Sequence, residues 1–184
     1  MNTKKPEVHS ASEVCDLRAK LFHAAVATHS ELTAVLKSST GLRTLMQLKY
    51  DKVGYDPLDS TRKLHLIEQL NQTFTYLASF QAALELFKLH TEIRSLKLNL
   101  GTESGADIET DDSGGIVAEV FATVNPANNR KLRLDVAKAA KSHAAHKYVF
   151  FLCPKFSGKR ESVSGFDSVT VIALDWEGIQ GFLA

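Results

Sequence analysis

Apolar residues recur at helical spacing through the first half of this chain and at alternate positions through much of the second. Ser10-Ala-Ser-Glu13 has the form of a capping box, and Leu17, Leu21, Ala24, Thr28, Leu32 and Val35 follow as one stripe. A helix is predicted from Ser10 to Lys37, after a frayed tail over residues 1–9. Ser38 to Gly41 stops it, and a second helix covers Leu42 to Tyr50. Asp51 to Ser60 carries Gly54, Pro57 and turn-forming Asp residues and reads as a loop. Ser60 or Thr61 then caps the longest helix, which runs to His90. Its stripe is Ile67, Leu70, Phe74, Leu77 and Leu84, widened by Leu66, Phe80 and Phe87. Glu68, Asn71, Gln72 and Thr75 form a polar line beside that stripe.

The period then changes to two. Leu96, Leu98 and Leu100 alternate within Ser95 to Leu100, and Gly101 to Gly105 forms a turn. Ala106 to Thr110 is a short strand, and Asp111-Asp-Ser-Gly-Gly115 signals a hairpin. In the strand from Ile116 to Val124, Ile116, Ala118, Val120, Ala122 and Val124 point one way. Val117, Glu119, Phe121 and Thr123 point the other. Asn125-Pro-Ala-Asn-Asn129 breaks the strand. A basic helix follows from Arg130 to His146, burying Leu132, Val136 and Ala139. Tyr148 to Cys153 is almost continuously apolar, as suits a strand buried on both faces and parallel to a neighbour. Pro154 to Asp167 reads as a loop, Val169 to Leu174 as a strand, and Trp176 to Leu183 as a short helix or turn.

Composition adds few constraints. The chain has 184 residues, 44% of them hydrophobic, enough for an ordinary core without disulfide or metal staples. Cys15 and Cys153 are far apart and near no ligand-like His pair, which argues against a zinc site or a disulfide framework. Cys153 falls in an apolar run and is expected to be a buried thiol. The polar, basic start does not resemble a signal peptide, and no apolar run approaches the ~18 residues of a membrane span. The expectation is a soluble, cytoplasmic protein with no membrane partner. There is no Gly-x-Ser-x-Gly nucleophile elbow, no P-loop and no dinucleotide fingerprint. A glycosidase would also use two carboxylates, but it needs an aromatic-lined cleft, and this chain has one Trp.

Net charge is +1, yet its distribution is uneven. Gly101 to Glu119 holds six acids and no Lys or Arg: Glu103, Asp107, Glu109, Asp111, Asp112 and Glu119. Asn128 to Arg160 holds nine basic residues and one acid, Asp135. The pattern suits a metal site beside a phosphate-binding surface; a solvated helix following an acidic turn would show it too. Asn125, Asn128 and Asn129, with Arg130, Lys131 and Arg133, are the candidate nucleic-acid contacts. For the Asn residues, turn formation and helix capping are the competing roles, and for Asn129 the N-cap role is favoured. His143 and His146 sit i, i+3 at the expected helix end, where metal binding and complementing the helix dipole are the competing roles and the dipole role is favoured.

From residue 61 to 153 the order is helix, strand, strand, strand, helix, strand. Asp107 follows Ser104-Gly105-Ala106 on the second strand, and Glu119 lies in Ala118-Glu119-Val120-Phe121 on the third. In this, about half of the chain resembles the PD-(D/E)XK, or restriction-endonuclease-like, nuclease superfamily. The resemblance implies an α/β fold: an αβββαβ core with a mixed central sheet flanked by helices, here over 61–184. Residues 1–60 would be a tail and helical extension packed on that core, with 10–50 supplying dimer or DNA contacts. It implies Asp107 and Glu119 as ligands of Mg²⁺ or Mn²⁺, which take one or two carboxylates plus water and phosphate oxygens. The family often draws a further acid from the first core helix, here Glu68.

In the family pattern a Lys follows two residues after the Glu; here that position is Phe121. Three explanations are open. The lysine's role has moved to the next helix, with Lys131, Lys138 or Arg130 as candidates. Alternatively no lysine is needed, as in members with Gln or Glu at that place. Or the domain is a relative that has lost activity. The activity implied is metal-dependent DNA cleavage, in a restriction or defence setting, by a homodimer, since two nicks need two sites. The competing expectation is an inactive nuclease-fold subunit that binds a partner or nucleic acid. A lone Glu119 facing the same way as Val117 and Phe121 is costly to bury unless it is paired or liganded.

Overall fold

The computed structural model describes residues 4–101, 104–110, 115–161 and 163–180. In chain order its elements are β1 (Glu7–Val8), α1 (Ala11–Ser38), α2 (Gly41–Tyr50), β2 (Gly54–Tyr55), β3 (Lys63–Leu64), α3 (Leu66–Leu89), β4 (Leu96–Leu98), β5 (Ile108–Glu109), β6 (Ile116–Ala122), α4 (Lys131–Ala140), β7 (His146–Leu152), β8 (Arg160–Glu161), β9 (Thr170–Ala173) and α5 (Trp176–Gln180). The chain forms two units, and the division falls within α3. One unit spans Ser12–Leu77; the other takes the segment up to Ala11 and the chain from Ala78 onward. No helix among the described residues is long and apolar enough to cross a membrane.

In the first unit, α1 buries Val14, Arg18, Leu21, Ala24 and Thr28, so the predicted stripe holds in its middle and shifts at its ends. The expected loop after α2 contains a small hairpin, with β2 antiparallel to β3 and Gly54 opposite Leu64. Asp56 Oδ1 accepts the Leu58 N–H and Asp59 Oδ1 accepts the Thr61 N–H, forming Asx turns between the strands. Thr61 is thereby held in the hairpin, and α3 begins at Leu66 rather than at residue 60 or 61. The buried anchor of this end of α3 is Gln69. Its Oε1 accepts from Thr28 Oγ1 at 2.6 Å and from the Tyr55 N–H at 2.8 Å, joining α1, the hairpin and α3. This orientation leaves Ile67, Leu70 and Phe74 exposed, contrary to the predicted stripe, while Leu77 and Phe80 of that stripe are buried, together with Tyr76.

The second unit is α/β, as the change of period predicted, with a mixed seven-stranded sheet in the order β1-β4-β5-β6-β7-β9-β8. β1, β4, β5 and β6 pair antiparallel in succession. β6 and β7 are parallel, as are β7 and β9, while β8 closes the far edge antiparallel to β9. A parallel neighbour needs a crossover, and α4 supplies it between β6 and β7. Glu7 and Val8, expected in a frayed tail, are paired with Lys97 and Leu96. β8 likewise occupies part of the expected loop after Cys153. The turn residues Thr102 and Glu103, the hairpin residues 111–114 and the end of the last predicted helix lie outside the described residues.

Both faces of β6 and β7 are buried. Phe121, Val149 and Phe151 pack beneath Val136 and Ala139 of α4, with the Cys153 thiol fully buried among them. α4 ends at Ala140 rather than His146. His146 opens β7 instead, 4.5 Å from the His90 ring, and His90 Nε2 lies 2.7 Å from the Tyr148 hydroxyl. His143 and His146 are therefore not a pair at a helix end. The β pairing of Ile116 with His146 draws the chain out of the helix before the apolar run starts.

Candidate functional site

Asp107 precedes β5, and Glu119 sits at the middle of β6. Ile108 is opposite Ala118 and Glu109 opposite Val117. Continuing that register by one residue puts Asp107 opposite Glu119. Directly opposed residues of an antiparallel pair share a face, so both carboxylates lie on the side covered by α4. Asp107 Oδ2 accepts the Val120 N–H at 2.7 Å, which locks its side chain against β6. Oδ1 accepts no hydrogen bond among the described residues.

Glu119 is 3% exposed, in a strand that is otherwise apolar. Lys138 answers it. The Lys138 ammonium donates to Glu119 Oε2 at 2.7 Å and to the Gly105 carbonyl at 2.8 Å. It thus straps α4 to β6 and to the segment that leads into Asp107. Asp135, one turn earlier on α4, is buried as well. Its Oδ1 accepts from Lys131 Nζ at 2.8 Å, while its buried Oδ2 has no hydrogen-bond partner among the described residues. Lys131, Asp135 and Lys138 are spaced i, i+4, i+7 and so lie along one line of the helix. Lys131 Nζ also stands 5.6 Å from the centre of the Phe121 ring.

These contacts set the charge states. Burial pushes the Glu119 carboxyl up to about 7; the Lys138 hydrogen bond opposes the shift and the neighbouring Asp107 charge adds to it. Burial also raises Asp107, against the pull of the Val120 N–H and the Lys138 charge. Asp135 is raised by burial against the pull of Lys131. Burial alone would lower the Lys138 ammonium, but its bond to Glu119 and the charges of Glu119, Asp107 and Asp135 raise it. All four groups hold their protons more tightly than in water. That is the signature of carboxylates removed from solvent and short of positive charge.

Phe121 is a core residue. It is 5% exposed and stacks on Phe151 at 5.7 Å between ring centres. A lysine there would point its ammonium into the apolar layer under α4. The cation facing Glu119 comes from α4 instead, through Lys138.

The donor set suits a hard cation. Asp107, Glu119 and the Gly105 carbonyl offer oxygen only, the kind of ligand Mg²⁺ and Mn²⁺ take. No group of three or more His, Cys, Asp or Glu side chains among the described residues is gathered for metal binding. A closed, all-protein cage is therefore not built here, whereas Mg²⁺ usually needs only one or two carboxylates.

The other predicted residues fall into two groups. Glu68 belongs to the first unit, where its Oε1 accepts from Arg62 Nη2 and Gln72 Nε2, each at 3.2 Å. Asn125, Asn128, Asn129, Arg130 and Arg133 are exposed near the start of α4. Asn125 Oδ1 accepts the Ala127 N–H and forms a turn. Asn129 is not the N-cap of α4: Arg130 holds that position, with no side-chain cap bond, and both residues have left-handed backbones at φ 53° and 55°. Two features were missed. Asp135 was legible only as the lone acid of a basic stretch, although its spacing from Lys131 and Lys138 carried the signal. The second is a groove of about 320 Å³ lined by Lys5, Glu7, Lys97, Asn99, Ser104 and Glu109, which exists because the segment expected as a tail pairs with β4 as β1. Lys97 pairs with Glu109, and Glu109 with Val117, so these side chains share the sheet face of Glu119.

Comparison of the chain with protein-family models, curated proteins and solved structures gives no match.

Proposed function

We propose that this chain is a divalent-metal-dependent endonuclease with a restriction-endonuclease-like core, hydrolysing DNA phosphodiester bonds with Mg²⁺ or Mn²⁺. The observation that carries the reading is the facing pair Asp107 and Glu119 with the Lys138 ammonium against it. The element order supports it: α3, then three antiparallel strands β4, β5 and β6, then α4 and the parallel strand β7. Asp107 and Glu119 would hold the cation. When bound, the cation supplies an activated water and neutralises charge developing on the phosphate. Asp107 is aimed by the Val120 N–H on Oδ2, so its other oxygen, Oδ1, keeps one direction. Lys138 takes the place of the family lysine from the next helix, delivering its ammonium to the same carboxylate. Lys131, Arg130 and Arg133 would meet the phosphate backbone, and cutting both strands calls for a homodimer. Glu68 is engaged by Arg62 and Gln72, and the reading does not need it.

The test is cleavage of supercoiled DNA with Mg²⁺ or Mn²⁺, alongside Asp107→Ala and Glu119→Ala. Cleavage by the wild type that both variants lose supports the proposal. Absence of cleavage together with absence of divalent-ion binding sinks it. The second reading is an inactive nuclease-fold subunit. It is favoured by the burial of Phe121 at the lysine position and by the ion pair that already satisfies Glu119. DNA or protein binding that is indifferent to divalent ions and to both substitutions would support it.

A further inference from the structure

Lys138 occupies an unusual place for a catalytic lysine. Its ammonium is held by a carboxylate oxygen and a carbonyl oxygen, Glu119 Oε2 at 2.7 Å and Gly105 O at 2.8 Å. Hard oxygen donors of this kind are what a divalent cation seeks. An ammonium and a dication cannot share one carboxylate at close range without strong repulsion. A second acceptor lies nearby. Asp135 is three residues earlier on α4, on the same face, and is 5% exposed. Its Oδ1 is taken by Lys131, but Oδ2 is buried and has no hydrogen-bond partner among the described residues. Buried polar atoms without partners are rare and ask for an explanation. The side chain of Lys138 is 52% exposed, so it has room to turn.

We propose that Lys138 is a latch on the cation site: it occupies Glu119 and Gly105 in the metal-free protein and yields them to a divalent cation by moving onto Asp135 Oδ2. The inference rests on the metal-dependent reading above. In this arrangement the orphan oxygen of Asp135 is the receiving position, and the ammonium stands in for the cation until one arrives. Cation binding then shifts the lysine from Glu119 to Asp135, so that the carboxylate of Glu119 is open only to the arriving cation. Competition for one site by two cations is a coupling, and coupling of ordinary size changes affinity about tenfold.

The test is Mn²⁺ affinity, measured by calorimetry on the full chain without DNA, for the wild type, Lys138→Met and Asp135→Asn. Lys138→Met is expected to bind Mn²⁺ about tenfold more tightly and Asp135→Asn more weakly. In the Lys138→Met background the Asp135 substitution is expected to matter little. Equal or weaker binding by Lys138→Met overturns the latch while leaving the metal reading intact. If none of the proteins binds Mn²⁺, the metal reading fails and the latch with it. Should Lys138→Met fail to fold, Asp135→Asn alone decides: Mn²⁺ affinity equal to or tighter than that of the wild type overturns the proposal.

Discussion

Asp107 and Glu119 face each other across β5 and β6, and the Val120 N–H that follows Glu119 donates to Asp107 Oδ2 at 2.7 Å. The backbone of one acid's strand therefore aims the other acid. A carboxylate pair held this way has little freedom to separate, even though burial disfavours charge on both members. Such a pair is retained at a cost in stability, which is expected where its charge has a use.

Glu119→Gln keeps the shape of the side chain and removes its charge. Partners one shell out from a metal cost about 10–100-fold when lost, so if Glu119 holds the cation as proposed, the substitution is expected to cost at least about 100-fold in metal-dependent cleavage. The same substitution removes a desolvated acid, and the metal-free protein should melt no lower than the wild type at alkaline pH. Cleavage kinetics and a thermal melt check the two halves.

The pH dependence follows from the sign of the Glu119 shift. Its ordinary value is 4.5, and burial pushes it up to about 7 in the folded chain. The folded state thus binds this proton more tightly than the unfolded state. Its stabilising contribution is complete below about 4.5, declines as pH rises and is lost above about 7. Asp107 and Asp135 are raised as well and act in the same direction. The melting temperature of the metal-free protein should fall across this window, and Glu119→Gln should flatten the fall. Divalent-ion binding needs the ionised carboxylate, so Mn²⁺ stabilisation should grow over the same range. A flat profile in the wild type would contradict this account.

Phe121→Lys supplies the Glu-x-Lys spacing that the proposed reading lacks. In this fold it drives an ammonium into the layer formed by Val136, Ala139, Val149 and Phe151. Losing the ring alone costs roughly 3–5 kcal/mol, and an unpaired buried charge adds to that. The variant should be strongly destabilised and no more active, as denaturant titration and a cleavage assay would show. A stable, more active Phe121→Lys protein would mean that the role assigned to Lys138 is wrong.

Arg130 has a left-handed backbone at φ 55°, which costs a side-chain-bearing residue about 1–2 kcal/mol. Glycine accepts that conformation but loses more entropy on folding, by about 0.5–1 kcal/mol. Arg130→Gly should therefore stabilise by up to about 1 kcal/mol while removing a cation from the mouth of α4. If Arg130 meets a phosphate, the salt dependence of DNA affinity should lose about 0.9 in slope. Higher stability with unchanged salt dependence would remove Arg130 from the DNA contacts.

Much of this arrangement was legible along the chain because it depends on local pattern. Alternation in Ile116 to Val124 put Glu119 on the face of Phe121, and the apolar run at Tyr148 announced a buried parallel strand. Spacing along α4 put Lys131 and Lys138 on one line. These are properties of neighbours in sequence, and a period of two or 3.6 reveals them. What the sequence could not show depends on partners distant along the chain. Gln69 decides which face of α3 is buried, because Thr28 and Tyr55 both need its oxygen. Hydrogen bonding by one buried polar group outweighed the apolar stripe of Ile67, Leu70 and Phe74. β1 exists only because the edge of β4 is there to pair with it. Lys138 was one candidate among several cations until the β6–α4–β7 crossover set α4 over the sheet and brought its ammonium to Glu119. Alternation along β6 is enough to place Glu119 beside Phe121. Setting Asp107 opposite it takes the β5–β6 register, and bringing Lys138 to it takes the packing of α4, because an ion pair between residues nineteen positions apart is not a local property.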